Sequence, residues 1–250
     1  MPQTETVILA VLSVIAIVLF VESILKARKY AGTQHHIIFM GSPGAGKGTQ
    51  ATRLAKELQI PHLSSGDLLR RVATENTPIG EKIRSHIEKG ELAPDELINS
   101  MIAEELQKCQ YEGGFILDGY PRTVEQAEFL DDYLDKSNRF ITAVFDLHVD
   151  EEVLVERIVG RRICGNGTCA ATYHLKNLPP KVDGICDRCG RPLIERKDDT
   201  EAVLRERIER HEQRIVPLLG HYHSQGNLIT ISGEGHPADI FDEILLTIGI

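Results

Sequence analysis

The chain has no basic surplus. Lys and Arg together number 28 against 37 Asp and Glu, a formal net charge of −9 over 250 residues. A protein that neutralises a nucleic-acid backbone needs the opposite balance, so nucleic acid is excluded as a partner. Internal repeats and low-complexity tracts are also absent. Cysteine is scarce, with five residues. Four of them fall between Cys164 and Cys189, and such clustering points to a metal rather than to scattered disulfides; Cys109 stands alone in a helical stretch. Long apolar runs are missing with one exception, near the N-terminus. What remains is ordinary for a globular protein, 42% apolar and 26% charged, and long enough for one large core with inserted subdomains.

The exception is residues 7–25, VILAVLSVIAIVLFVESIL, in which Ser13, Glu22 and Ser23 are the polar interruptions. As a helix it would be about 28 Å long at 1.5 Å per residue, close to a hydrocarbon core of roughly 30 Å. Lys26, Arg28 and Lys29 follow at once, which orients a single-pass anchor N-out and C-in, with the rest of the chain on the cytoplasmic side. A cleaved signal peptide fits less well, since Glu5 precedes the run and no Lys or Arg does. A buried helix of a cytoplasmic protein is the other reading. The expectation is an N-terminal segment over residues 1–30 and a folded, monomeric domain over 35–250.

That domain opens on residues 41–50, GSPGAGKGTQ, entered from an apolar run at 36–40 and leaving into a helical repeat at Leu54 and Leu58. Strand, glycine loop and helix are the context of a phosphate cradle. Gly41, Gly44 and Gly46 let consecutive N–H groups turn inward around an anion, the helix N-terminus adds partial positive charge, Lys47 adds a full charge, and Thr49 a hydroxyl. One detail departs from G-x-x-x-x-G-K-[ST]: Gly48 stands directly after the lysine.

Further on, residues 60–64 read as a short strand or connection, Ser65, Gly66 and Asp67 as a cap for a helix from Leu68, and Pro78 and Pro94 as helix starts. Strands are expected over 114–118, 140–147 and 227–232, and helices from Val124 and over 151–161, 201–219 and 237–247. Alternating strands and helices specify an α/β fold, a doubly wound parallel sheet of about five strands covered on both faces. Residues 64–93 form a small helical insertion. Residues 162–196, rich in Cys, Gly and Pro, form a second one.

Asp118 ends a strand, at the edge where open parallel sheets bind ligands, and a carboxylate there holds magnesium through water or caps the next turn. Asp67 has the same two uses. Arg70, Arg122, Arg157, Arg161, Arg196 and Arg207 flank the two insertions. Grouped arginines in an acidic chain suit phosphoryl chemistry, which asks a protein to align two groups and neutralise charge on the equatorial oxygens. The cysteines read Cys164-x4-Cys169-x16-Cys186-x2-Cys189, a set that closes around one tetrahedral zinc with no open position, hence a structural site. Two disulfides or an iron–sulfur cluster are the alternatives.

Together, GSPGAGKGTQ, LSSGDLLR at 63–70, DGYPRT at 118–123, ERIVGRR at 156–162 and ERKDDTEAVLRER at 195–207 resemble the adenylate kinase family in its long-lid, zinc-bearing form. The resemblance implies reversible phosphoryl transfer from MgATP to AMP giving two ADP, with a core, an AMP-binding insertion over 64–93 and a lid over 163–197. It implies ATP binding by Gly41, Gly44, Ala45, Gly46, Lys47, Gly48, Thr49, Arg157 and Arg161. AMP binding falls to Ser65, Arg70, Gly119, Arg122, Gln126, Arg196 and Arg207, with adenine along Glu91, Leu92 and Ala93. Lys47, Arg122, Arg157, Arg196 and Arg207 are the implied catalytic groups, and Asp67 and Asp118 the acids near water-ligated magnesium. Another nucleoside monophosphate kinase, a GTP-preferring AMP kinase, or a non-catalytic adenylate sensor at a membrane are the alternatives.

Overall fold

The computed structural model describes residues 34–88, 93–166, 169, 171–196 and 199–250. Three runs rich in Ile, Leu, Val and Phe become the middle of a five-stranded sheet: β1 (His35–Met40), β3 (Gly114–Asp118) and β4 (Ala143–His148). Their side chains are buried almost without alternation, as they must be when helices cover both faces. β2 (His62–Ser64) and β8 (Leu228–Ser232) are the edges. The order is β2-β3-β1-β4-β8 and every pairing is parallel.

Parallel neighbours need crossover helices. These are α1 (Lys47–Leu58), α2 (Ser65–Ala73), α3 (Pro78–Glu88), α4 (Asp95–Leu106), α5 (Val124–Asp135), α6 (Glu151–Val159) and α7 (Glu201–Ser224), while α8 (Pro237–Thr247) follows the last strand. The chain leaves β1 towards β2 and β3 on one side and later returns to β4 and β8 on the other. The C-terminal end of β1 is therefore the switch point, where such sheets form a crevice. One core joins Ile38, Leu117 and Val144 of the sheet to Leu130 and Leu134 of α5 and to Leu218 and Tyr222 of α7.

Several boundaries differ from expectation, each for a local reason. Ser64, not residues 65–67, caps α2, its hydroxyl accepting from Asp67 N at 3.3 Å. Phe140 lies outside β4 and is 72% exposed; its carbonyl is 2.8 Å from His36 Nδ1. α6 stops at Val159 because Gly160 turns the chain into the next strand. α7 runs past Leu219 to Ser224 and through Pro217; burial of Leu218 and Tyr222 beyond the proline outweighs the loss of one backbone donor.

The second insertion is a three-stranded antiparallel sheet, β6 (Thr172–His174), β5 (Arg161–Cys164) and β7 (Leu193–Ile194), in that order. No helix among the described residues is long and apolar enough to cross a membrane. The expected anchor at 7–25, with Lys26, Arg28 and Lys29 behind it, lies outside the described residues. The membrane partner and single-pass placement thus gain no support from the structure.

Candidate active site

The glycine loop fills the crevice at the end of β1. Gly41 has φ 127° and a Cβ there would meet the Leu147 carbonyl oxygen at 2.5 Å, so only glycine lets the loop leave β1 this close to β4. Gly44 and Gly46 also have positive φ, Ala45 is buried and Thr49 is exposed on the first turn of α1. Lys47 Nζ donates to the carbonyls of Gly41 at 2.7 Å and Ser42 at 2.9 Å. Burial takes this amine down to about 8; Asp118 pulls the other way, while Arg122, Arg207 and Arg161 push further down. An incoming anion would relieve that cost.

Asp118 stands beside the lysine. Burial would raise its carboxyl, but His62, Lys47 and Arg122 outweigh burial and hold it low; His62 Nε2 lies 3.6 Å from Oδ2. Gly48 has its reason here, because a Cβ at that position would sit 3.1 Å from Asp118 Oδ2.

A cavity of about 210 Å³ opens next to the loop and brings together Lys47, Ser65, Arg70, Ala93, Gly119, Arg122, Gln126 and Arg207. Ser65 Oγ donates to the Gly119 carbonyl at 2.7 Å and Arg122 Nε to the same oxygen at 2.7 Å. Arg122 N donates to Gln126 Oε1 at 2.8 Å, and Gln126 Nε2 to Asp95 Oδ1 at 2.7 Å. Thr123 Oγ1 takes the other oxygen of Asp95 at 2.7 Å. Arg122 is thereby fixed from both ends, and burial, Arg207, Arg70 and Arg214 bring it down to about 10 against the pull of Asp118. Glu91 and Leu92, expected along the adenine, lie outside the described residues.

Three further arginines gather at the base of the small sheet, off the cavity wall. Arg161 holds the buried carboxylate of Asp199 with two donors, Nε to Oδ2 at 2.8 Å and a second bond to Oδ1. Arg196 is brought down to about 10, by burial first and then by Arg70 and Arg161, with Asp199 and Asp67 opposing. Arg157 is half-buried on α6, its guanidinium lowered by burial against Glu234 and Glu156. Asp67 accepts from Arg70 at 2.7 Å and lies 3.9 Å from Arg196; of the two acids expected near magnesium, Asp118 adjoins the loop and Asp67 is engaged with arginines.

Sequence reasoning missed Asp95, His62, Asp199 and His174. His174 Nδ1 accepts from the N–H groups of Lys176 at 3.1 Å and Asn177 at 3.0 Å, so its Nε2 carries the proton it offers to the Glu156 carbonyl at 3.2 Å. This imidazole ties the small sheet to α6. The Asp199 carboxylate could have been suspected from its place just after Arg196; for Asp95 no local signal exists.

The four cysteine sulfurs lie within 4.8 Å of one another. Cys164 and Cys189 are 3.3 Å apart and Cys169 and Cys186 3.7 Å. A tetrahedron with Zn–S near 2.3 Å has edges of about 3.8 Å, so the donor set fits zinc. Burial works against a thiolate at Cys186, yet the Tyr173 hydroxyl and the N–H groups of Arg188 and Cys189 bring it down to about 6. Tyr173 is free to donate because its oxygen accepts from Asp187 N at 2.8 Å. The surrounding core is little more than Cys164, Ala171, Tyr173 and Cys186, too small to hold three strands unaided.

A lysine drawn over a glycine loop at the switch point of a parallel sheet, facing converging arginines, defines a P-loop nucleotide phosphotransferase. A family model described as Adenylate kinase matches residues 39–227. An adenylate kinase of Caldanaerobacter subterraneus subsp. tengcongensis is 43% identical over 208 residues, covering 83% of this chain and 93% of its own. One of Bacillus licheniformis is 44% identical over 214 residues, 86% of this chain and 98% of its own. One of Clostridium tetani is 40% identical over 214 residues, with the same coverage. The chain belongs to the adenylate kinase family and is an enzyme, a phosphotransferase with a phosphate group as acceptor.

Proposed function

We propose that the enzyme moves the terminal phosphoryl group of MgATP to AMP, reversibly, giving two ADP. The observation that carries this reading is the cavity wall: Lys47, Arg70, Arg122 and Arg207 converge on it, and no Asp or Glu among the described residues lines it. In a chain of net charge −9, that wall suits two phosphates brought end to end.

In this reading the loop from Gly41 to Thr49 and Lys47 hold the donor phosphates, with Arg157 and Arg161 at the lid base. Arg70, Arg122 and Arg207 hold the acceptor phosphate, Ser65, Gly119 and Gln126 shape its seat, and the adenine lies towards Ala93. An acceptor phosphate oxygen attacks the terminal phosphorus while the bond to the bridging oxygen breaks, and ADP leaves. Charge spread over the equatorial oxygens meets Lys47, Arg122, Arg196 and Arg207, so no protein nucleophile is needed. Magnesium would supply charge neutralisation on the donor phosphates, held through water by Asp118 with Asp67 nearby. Zinc on Cys164, Cys169, Cys186 and Cys189 would staple the lid, residues 163–197. Closure of the lid and of the insertion at 64–93 would exclude water and suppress hydrolysis.

The relatives' printed names support AMP as acceptor and do not favour the GTP-preferring, other monophosphate kinase or sensor readings. A membrane tether is supported by the sequence of residues 7–25 alone, and release of the full chain from membranes by high salt without detergent would remove that support. The functional reading is tested by an ADP-forming assay with ATP and GTP as donors and the four monophosphates as acceptors. ATP with AMP should be the fastest pair; faster turnover of any other pair would overturn the assignment.

A further inference from the structure

His211 lines the cavity, and the phosphoryl step makes no use of it. It stands one turn beyond Arg207 on α7, about 6 Å along the axis at 1.5 Å per residue, and the four-residue spacing puts both on one helix side. Its neighbours on that side are Arg207 and Ile208 before it and Arg214 and Ile215 after it. Lys47 from the first turn of α1 and Arg122 from the turn after β3 come close enough to disfavour a charge on its ring. Arg70 from α2, His86 from α3 and Arg210 from α7 line the same cavity. No Asp or Glu among the described residues does; Asp118 acts on Lys47 and Arg122, Asp67 pairs with Arg70, and Glu206 with Arg210.

An imidazole in such company is neutral in the free enzyme. Burial first, then Lys47 and Arg122, bring it down to about 4. Two other histidines are lowered by burial, His35 and His36, but both stand at the end of β1 away from the glycine loop. An acceptor phosphate reverses the balance at His211. Negative charge held by Lys47, Arg122 and Arg207 cancels the repulsion that keeps the ring neutral, and an opposite charge nearby favours the charged form. A ring within reach of Lys47 and Arg122 is within reach of the phosphate lying between them.

We propose that His211 is a further phosphate-binding residue of the acceptor site, which takes up a proton from solvent as the nucleotide binds and donates a charge-assisted hydrogen bond to its phosphate. This rests on the reading of the cavity as the acceptor site. The proton returns to solvent when the nucleotide leaves, so the ring acts in binding and passes no proton to the reacting groups. Acceptor affinity therefore rises as pH falls. With the ring restored to its ordinary value of 6.5, the imidazolium makes affinity at pH 6 exceed that at pH 8 by about fourfold.

Titration calorimetry of AMP into the full chain tests it, at pH 6 and pH 8, in two buffers of different ionisation enthalpy, with wild type and His211→Gln. The variant keeps a hydrogen bond and has no proton to gain. At pH 6 wild type should take up about 0.7 proton more than the variant. Its AMP affinity should fall about fourfold more than the variant's from pH 6 to pH 8, the variant cancelling the titration of AMP's own phosphate. Equal proton counts or parallel affinity curves overturn the role of His211. Nitrogen-15 NMR of histidine-labelled wild type decides the point without a variant: at pH 6 one ring should change from neutral to charged when AMP is added, and no such change overturns it. If AMP fails to bind wild type at either pH, the acceptor reading falls and takes His211 with it; if AMP binds and no proton follows, only the role of His211 falls.

Discussion

Gly48 and Asp118 contend for one space: a Cβ on residue 48 would stand 3.1 Å from the Asp118 carboxylate oxygen. The glycine that follows Lys47 is there because an acid from β3 closes against α1. Gly48→Ala should therefore separate stability from activity. Alanine favours the helix by up to about 1 kcal/mol, so the melting temperature should hold or rise. Displacement of Asp118 should lower kcat by about 10- to 100-fold. Thermal melts and ADP formation on one preparation check both signs.

Lys47 gives a second pairing of opposite effects. Lys47→Met should reduce turnover by about 10³-fold or more while raising the melting temperature of ligand-free enzyme, because burying the amine among arginines costs stability. The sign with pH follows. Below about 8 the lysine is charged in both states and the folded state carries the full cost. Above that the folded form sheds its proton while the unfolded form keeps it up to the ordinary lysine value of 10.5. The stability advantage of Lys47→Met should shrink as pH rises from 8 to 10.5, read as the difference between two melts.

Zinc removal should act on stability before chemistry. Replacing Cys186 and Cys189 together with Ser should lower the melting temperature by about 2–4 °C for each kcal/mol lost and leave activity near normal in the cold. Metal analysis should find zinc in wild type and not in the variant. Equal loss of activity at every temperature would assign the cysteines a direct role.

Gly160 and His174 meet where the small sheet joins α6. A Cβ on residue 160 would stand 2.2 Å from His174 Nε2, and that ring is pinned through both nitrogens. Gly160→Ala should expel the imidazole and raise KM for ATP several-fold with a smaller change in KM for AMP. Steady-state kinetics varying one nucleotide at a time separate the two.

The parallel sheet and the phosphate cradle were legible because their signals are local: buried apolar runs, a glycine loop, a capped helix. The second insertion was legible as an interruption rich in Cys, Gly and Pro, but not as strands. β5, β6 and β7 are two to four residues long and are held by cysteine sulfurs more than by an apolar stripe. Arg122 was visible in DGYPRT, whereas Asp95, which orients it through Gln126 and Thr123, comes from a helix 27 positions earlier and has no pattern of its own.

The central claim is tested most directly by nucleotide stoichiometry on the purified full chain with magnesium. The account predicts two ADP formed for each ATP and AMP consumed, with negligible loss of ATP when AMP is left out. Consumption of ATP at a comparable rate without AMP, or nucleotide binding with no ADP formed, would contradict it.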